Sequence, residues 1–294
     1  MKKLILSVFL TFAVGMVYAL PVSNPIESSL YKKGICRTPC RDICNPCFKW
    51  LDAFDLRIGF YGDYVFNRNL QANATVDNSG NCVDTTTLFT NAGTLTLNIC
   101  DWLDAYAVLG ETSMNLITHG ALFLTTEGGS INSAVDADFN TGFCWSVGGR
   151  ATLWGYRCLA FGLEAQYFRA STTLNSFSDA MGYAYFNSNN QASYSEWQAG
   201  LGASYRFVSG CPEVSMVPYL AVKWSGSQFH VPPLTFTIPG IGATNTYTLR
   251  DLNNSRLWGY AVGMTATINS SFGVTAEGRW ADESAVYVGS QLRF

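Results

Sequence analysis

Alternation of apolar and polar residues, with a period of two, recurs along most of this chain. From Phe272 to Ala281, four residues fall on one side of an extended strand: Phe272, Val274, Ala276 and Trp280. Thr275, Glu277 and Arg279 fall on the other side. The pattern repeats in Phe143–Leu153, Leu159–Tyr167, Tyr194–Phe207, Leu220–Trp224 and Trp258–Ile268. Such alternation is typical of β-strands that have one apolar and one polar face.

The composition indicates which environment the apolar face meets. Charged residues make up 13% of the chain, whereas soluble domains carry about 25%. After the first twenty residues, no stretch of about 18 apolar residues suggests a transmembrane helix. A closed barrel in a membrane reconciles these facts, because only every second residue has to face lipid. We therefore predict an all-β fold, a transmembrane antiparallel β-barrel in the bacterial outer membrane.

The N-terminus has the features of an export signal. Lys2 and Lys3 precede the apolar segment Leu4–Val17, and Ala19 follows in a small-residue cleavage pattern. An uncleaved anchor is the alternative, but the apolar segment is short and runs directly into Leu20 and Pro21. We expect residues 1–19 to be a cleaved signal peptide, residues 20–52 a Cys-rich arm outside the barrel wall, and residues 53–294 the barrel.

Turn-forming residues divide the barrel into strands. Asn269–Ser271 has the composition of a short periplasmic turn. Four longer polar stretches are expected to be extracellular loops: Asn67–Asp84, Thr126–Asn140, Ser171–Gln191 and Pro232–Asn254. We expect 12 to 16 strands, preferably an even number. The last strand, which ends at the aromatic Phe294, is expected to seal the barrel against the first.

Charged residues on the polar faces are candidates for the lining of a pore. The ten candidates are Arg57, Asp63, Arg150, Glu164, Glu196, Arg206, Lys223, Glu277, Arg279 and Arg293. Six are basic and four acidic, which gives a balance of +2. Fixed charge in a narrow pore concentrates counter-ions, so we expect a mild preference for anions. The function predicted is passive diffusion of small hydrophilic solutes and ions.

Nine cysteines suit an oxidising compartment, where they form disulfides or cross-links. They are Cys36, Cys40, Cys44, Cys47, Cys82, Cys100, Cys144, Cys158 and Cys211. The spacing of Cys40, Cys44 and Cys47 matches an iron–sulfur motif, and the first four cysteines include the ligand types of a zinc site, but export favours disulfides over either. An odd number leaves at least one thiol free or paired between chains. Cys144 and Cys158, on successive strands, are one candidate pair.

No constellation of catalytic residues is recognisable. The two histidines, His119 and His230, have no serine nucleophile and acid at short spacing. A barrel hydrolase is therefore disfavoured, and no enzyme activity, cofactor or metal is predicted. A structural or adhesive surface protein with little channel activity remains the alternative to a porin. No cluster of Lys and Arg indicates nucleic-acid binding.

Several segments together resemble the major outer membrane porin family of chlamydiae. They are Arg57–Phe66, Phe89–Ala92, Leu97–Ile99, Trp145–Ala151, Glu196–Ala199, Val217–Tyr219, Val222–Ser225 and Gln291–Phe294, with the start Leu20–Pro25. The loops are shorter here than is usual for that family. The resemblance implies 16 strands, a homotrimer in outer-membrane lipid, and disulfide cross-links to itself or to other Cys-rich envelope proteins that stiffen the cell envelope.

Overall fold

A computed structural model describes eleven stretches of the chain: residues 21–31, 54–72, 83–118, 123–125, 135–179, 184–185, 191–209, 214–237, 244–249, 251–269 and 271–294. Ten long strands form one sheet: β1(Phe54–Arg68), β3(Thr85–Ile99), β4(Leu103–Thr118), β6(Val135–Tyr156), β7(Leu159–Asp179), β9(Gln191–Tyr205), β11(Val214–His230), β15(Trp258–Ile268), β16(Phe272–Trp280) and β17(Glu283–Arg293). The shorter strands are β2(Leu70–Ala72), β5(Phe123–Thr125), β8(Ala184–Tyr185), β10(Phe207–Ser209), β12(Leu234–Thr237), β13(Thr244–Leu249) and β14(Leu252–Asn254). A 3-10 helix covers Glu27–Ser29.

The ten long strands close into an antiparallel barrel, which we call the wall. Each pairs with its neighbours in chain order, and the last strand pairs with the first, with Ile58 opposite Leu292. Strands β9, β11, β15, β16 and β17 complete the ring. The barrel and its sealing by the final strand are confirmed.

The expected number of strands was wrong. The ring has ten strands rather than 12 to 16, and a closed ring has no edge at which another strand could be added. The cause is strand length: β6 has 22 residues and β7 has 21, about twice what a tilted crossing requires. The chain between Phe54 and Phe294 therefore makes fewer crossings than its length suggests.

One end of the barrel carries short turns, and the first wall strand begins and the last wall strand ends there. We call this end the turn end, and the opposite end the loop end. At the turn end, Asn269 adopts a positive φ of 52° between β15 and β16, so the turn predicted at Asn269–Ser271 is where the structure has it. Arg157, between β6 and β7, has a φ of 56°. Such left-handed residues allow two strands to reverse direction within very few residues.

Outward-facing apolar side chains form the lipid-facing belt. Trp197, Leu201 and Tyr205 on β9 are all more than one third exposed. Towards the loop end, Trp197, Trp224 and Trp258 form a chain of rings whose centroids lie 5.0 and 6.2 Å apart. Eight residues separate Trp197 from Tyr205, about 26 Å of strand, or roughly 20 Å of membrane depth at a tilt near 40°. This height and its aromatic borders fit a bilayer.

On the loop-end side of Trp145 and Trp197, the alternation inverts, so that apolar side chains face the inside of the barrel and polar side chains face outward. On β6, Val135, Ala137 and Phe139 are buried inside the barrel, whereas Asp136 is exposed on its outer surface. Outer polar groups pair across strands there: Asn115 donates to Asp136 at 2.7 Å. We call this part of the wall the collar. Its apolar inside and polar outside are the arrangement of a protein surface in water.

The collar corrects the predicted loops. Residues 135–140 belong to β6 and residues 171–179 to β7, although both were assigned to loops. Strands β2, β12, β13 and β14 likewise occupy parts of Asn67–Asp84 and Pro232–Asn254. Strands β12, β13 and β5 form a separate three-stranded sheet. The polar outer faces of the collar strands have the composition of loops, which explains the error.

Within the described residues, no helix is long and apolar enough to cross a bilayer.

The belt makes one prediction about stability. Leu201→Arg places a charge at mid-depth on the lipid face, and we expect it to lower the free energy of folding into vesicles by about 2–4 kcal/mol. Gln191→Arg is the matched control, because Gln191 lies on the same strand and face but in the collar. Equilibrium unfolding in urea measures both. Equal effects of the two substitutions would contradict the assigned depth of the belt.

Candidate pore and its luminal segment

Inward-facing charged residues fill the interior of the wall between the aromatic borders. Nine of the ten candidate lining residues are buried inside the barrel: Arg57, Asp63, Arg150, Glu164, Glu196, Lys223, Glu277, Arg279 and Arg293. Arg206 is half-buried just after β9, at the turn end. Period-two alternation in the sequence was a sufficient signal for their placement. Their role as a pore lining remains a prediction.

The charges nearest the turn end form two ion pairs. Arg57 pairs with Asp104, and both side chains are fully buried. Asp104 also accepts a hydrogen bond from the Asn98 side-chain amide at 2.7 Å. Arg293 pairs with Asp55 at the mouth. Since Asp104 faces the same space as Arg57, it belongs to the lining, although it was not predicted.

Carboxylates and tyrosines alternate around the middle of the lumen. Tyr106 donates a hydrogen bond to Glu164, and Tyr219 donates one to Glu277 at 2.7 Å. The Arg150 guanidinium lies over the Tyr106 ring, 4.6 Å from its centroid. Hydroxyl donors of this kind stabilise carboxylates that have little contact with water.

Towards the loop end, basic and acidic side chains form one connected network. Arg68 bonds Glu196 at 2.8 Å and also pairs with Glu283. Lys223 lies 3.1 Å from Asp282, and Arg279 pairs with Asp63. Arg68, Asp282 and Glu283 were not predicted. Arg68 lies in a stretch assigned to a loop, Asp282 in the turn between β16 and β17, and Glu283 at the start of β17.

Asp282 belongs to that turn rather than to a strand. Burial raises the pKa of its carboxyl to about 6, while the Arg68 charge and a hydrogen bond from Ser225 oppose the rise. The Ser225 hydroxyl donates to Asp282 at 2.9 Å. The turn is thus held against the network by charge as well as by hydrogen bonds.

Residues 21–31, which we call the luminal segment, lie inside the barrel. The Val22 N–H donates to Glu277 at 3.0 Å, and the Gln198 side chain donates to the Pro21 carbonyl at 2.9 Å. Asn24 donates to the Thr265 hydroxyl at 3.2 Å and accepts from Ser204 at 2.9 Å. The sequence placed these residues in an arm but gave no sign that they enter the lumen.

The rest of the luminal segment fills the space near the turn end. Glu27 in the 3-10 helix pairs with Arg150. The Asn98 amide donates to the Ser28 carbonyl at 2.9 Å. The Arg57 guanidinium lies 4.7 Å from the centre of the Tyr31 ring. Most luminal charges near this end therefore contact the segment or each other.

The described residues leave little open space in the middle of the lumen. The cavity lined by Tyr61, Arg150, Glu164 and Tyr287 measures about 10 Å³, roughly the room that one water molecule needs. Above the charges, a cluster of buried apolar side chains spans the inside of the collar, where the rings of Phe139 and Phe229 meet at 5.6 Å. Among the described residues, the luminal segment fills the lumen near the turn end, and the apolar cluster narrows it towards the loop end.

The cysteines that the structure describes do not form the candidate pair. Cys144 is buried beside the collar, whereas Cys158 is exposed in a turn at the opposite end, and both thiols are free. The expected proximity of Cys144 and Cys158 was wrong because β6 separates them along its length. Cys100 is disulfide-bonded. Cys36, Cys40, Cys44, Cys47, Cys82 and Cys211 lie outside the described residues, as do the zinc and iron–sulfur candidates.

The described histidine lies on the surface. His230 contacts Asp251 at 2.5 Å, and both side chains are well exposed. His119 lies outside the described residues. Across the described stretches, no group of three or more His, Cys, Asp or Glu side chains is arranged to hold a metal ion.

Comparisons with known proteins agree with this architecture. The family model "Chlamydia major outer membrane protein" matches residues 1–87. The major outer membrane porin of Chlamydia pneumoniae is 29% identical to the chain, with each sequence covered completely. The serovar F porin of Chlamydia trachomatis is also 29% identical, again over both complete sequences. The chain is thus similar over its whole length to chlamydial major outer membrane porins. This barrel therefore resides in the bacterial outer membrane, with its turn end facing the periplasm.

The two chlamydial porins align over more positions than this chain contains. The alignment to the Chlamydia pneumoniae porin runs over 395 positions, whereas this chain has 294 residues. Among solved structures, the Escherichia coli outer membrane protease OmpT has 14% identity and a TM-score of 0.38, covering 82% of this chain and 96% of its own. Pseudomonas aeruginosa OprG has 9% identity and a TM-score of 0.32, covering 82% of this chain and 96% of its own.

Proposed function

We propose that the protein is a porin through which small hydrophilic solutes and ions diffuse passively. The observation that carries the proposal is the ring of charged side chains inside the wall, at the depth where the outer face meets lipid. Burying so many charges in a barrel that only needed a core would be costly. Charged side chains are instead suited to a lumen that water and ions enter part of the time.

The closed conformation constrains how such a channel works. Conduction requires the luminal segment to move, and water to enter the apolar cluster in the collar. Apolar constrictions open and close by wetting and drying, without large changes of the surrounding wall. The protein is therefore proposed to conduct in an open state that alternates with the closed one described above.

Liposome swelling tests the channel. Purified, refolded protein lacking residues 1–19 is incorporated into vesicles, which are then diluted into sugars of graded size. We expect swelling with the smaller sugars and a sharp decline as size increases, because the ten-stranded ring is narrow. If neither this protein nor a variant lacking residues 21–31 allows any sugar to enter, the porin assignment is wrong.

The luminal charges also bear on ion selectivity. The anion preference expected from the sequence relied on a balance of +2 among ten residues. Within the described part of the wall, the buried basic residues number six: Arg57, Arg68, Arg150, Lys223, Arg279 and Arg293. The buried acidic ones number seven: Asp63, Asp104, Glu164, Glu196, Glu277, Asp282 and Glu283. Seven negative and six positive charges leave −1, so the physical basis for anion preference is lost.

We accordingly expect weak selectivity in the open channel. In a planar bilayer with a tenfold salt gradient, the reversal potential should stay close to zero, since nearly balanced fixed charges concentrate neither ion. Arg150→Gln serves as the comparison, because it removes one positive charge from the lining and should shift the potential towards cation preference. A strong anion preference of the unmodified protein would restore the original expectation.

A second role, bracing of the envelope through disulfides, is favoured by the position of Cys158. Its free thiol is exposed in a turn that faces the oxidising periplasm. We propose that this thiol can join the chain to a second copy or to another Cys-rich envelope protein. The trimer that the family resemblance implies is a separate proposal, since it requires no covalent link.

Gels of envelope fractions test the disulfide proposal. In non-reducing gels we expect high-molecular-weight bands that collapse to the monomer on reduction, and Cys158→Ser should remove most of them. Cys144→Ser is the control, because that thiol is buried inside the barrel and should leave the pattern unchanged. Bands that persist in Cys158→Ser would assign the links to other cysteines. Mild-detergent gels of the reduced protein separately report whether trimers form.

A further inference from the structure

We propose that the luminal segment, residues 21–31, is a releasable plug that seats in the lumen from the periplasmic end and keeps the pore closed. This inference rests on the proposed channel function and adds the element that regulates it. The argument uses the path of the segment, the shape of the wall around it, and the nature of its contacts.

The segment enters through the turn end. Ser28 donates a hydrogen bond to the Trp102 carbonyl, in the turn between β3 and β4, and the Tyr31 hydroxyl lies beside Gly273 near the start of β16. Val22, by contrast, packs against Ala221 and Ala261 deeper in the lumen. The chain therefore runs from deep inside the lumen towards the periplasm. Its withdrawal is also directed to the periplasm, because the apolar cluster fills the collar above.

The wall is shaped to receive the segment. Gly162 on β7 and Gly202 on β9 are directly opposite each other and face inward. A Cβ atom on Gly162 would collide with the carbonyl group of Pro25, and one on Gly202 would collide with the Pro25 ring. A third inward glycine, Gly200, adjoins Val22 in the same way. Inward positions elsewhere on these strands carry side chains, so the glycines form a slot that fits the segment.

The polar contacts of the segment are of a kind that water can replace, while its apolar side chains pack in two small clusters with Val217, Ala221 and Ala261. Its main anchors are the Glu27–Arg150 ion pair, the Val22–Glu277 hydrogen bond and the side-chain bonds of Asn24. The backbone hydrogen bonds of the wall run between its own strands. Withdrawal of the segment therefore breaks no hydrogen bond of the ring, and water can solvate the exposed Glu277 and Arg150. Release therefore exposes the apolar side chains of the segment but leaves the ring of strands intact.

Single-channel recording tests the plug with one deletion and one substitution. Removal of residues 21–31 should raise the conducting fraction. Gly162→Ala should also raise it, by about tenfold, the factor that corresponds to about 1.4 kcal/mol, because the added methyl group occupies the place of Pro25. Combined with the deletion, Gly162→Ala should add nothing. Gly155→Ala is the matched control: its Cβ would meet Ala160 and the Leu159 carbonyl at ordinary distances of 3.6 and 3.9 Å.

A peptide added in trans tests the direction of entry. A synthetic peptide with the sequence of residues 21–31 should block the deletion variant when applied to the periplasmic side. It should block much more weakly from the other side, because the apolar cluster narrows the lumen there even when water and ions pass. The same peptide with Glu27→Lys, which would meet Arg150 with a like charge, should block at least tenfold more weakly. Block from both sides alike, or equal block by both peptides, would overturn the proposal.

Hydrogen exchange separates failure of the plug from failure of the channel. In the unmodified protein in vesicles, the amides of residues 22–31 should exchange slowly, and Gly162→Ala should accelerate them at least tenfold while the amides of β16 stay protected. If the segment shows this release but no variant conducts, the plug stands and the porin function fails. If the segment is unprotected in the unmodified protein, or Gly162→Ala leaves its exchange unchanged, the plug proposal is wrong.

Discussion

Pairing of the last strand with the first is the constraint on which this structure depends. In hydrocarbon, an unpaired backbone group costs several kcal/mol, so a sheet inside a membrane needs a partner at every edge. Backbone pairing across the seam provides that partner, with Arg57 opposite Arg293 and Tyr64 opposite Val286. Once the ring is closed, each side chain is assigned to lipid or to lumen by its position alone. The belt and the charged interior both follow from this assignment.

The closed ring also explains why so many charges are tolerated inside. Ten strands enclose little space, so basic and acidic side chains on opposite walls are within bonding distance of each other. Arg68 on β1 reaches Glu196 on β9 across the lumen at 2.8 Å, and Arg279 on β16 reaches Asp63 on β1 past the intervening β17. Pairing offsets part of the desolvation cost of each ion. The luminal segment contributes to the same balance through Glu27, which is why its position and the electrostatics of the wall are linked.

Local alternation predicted the inward and outward faces correctly wherever the strand lies in the membrane. It placed Glu277 and Arg279 inside and Val274 outside, since period two directly encodes the face. It failed above Trp145, where the register of β6 shifts between Phe139 and Phe143, so that Phe139 turns inward and Asp136 outward. The sequence prediction assumed that lipid surrounds the outer face of every strand, and it therefore assigned the collar strands to loops. Residues 21–31 were missed because their contacts with Glu277, Arg150 and Gly162 are distant in sequence and have no period.

The collar has a consequence for how this architecture tolerates change. The water-exposed part of the wall has its own apolar interior, which packs the collar strands against each other above the lipid-facing belt. Segments of very different length can then be joined to the collar without disturbing strand register or insertion depth. Relatives that align over about one hundred more positions than this chain contains could carry their extra residues at such a site, with the same ring beneath.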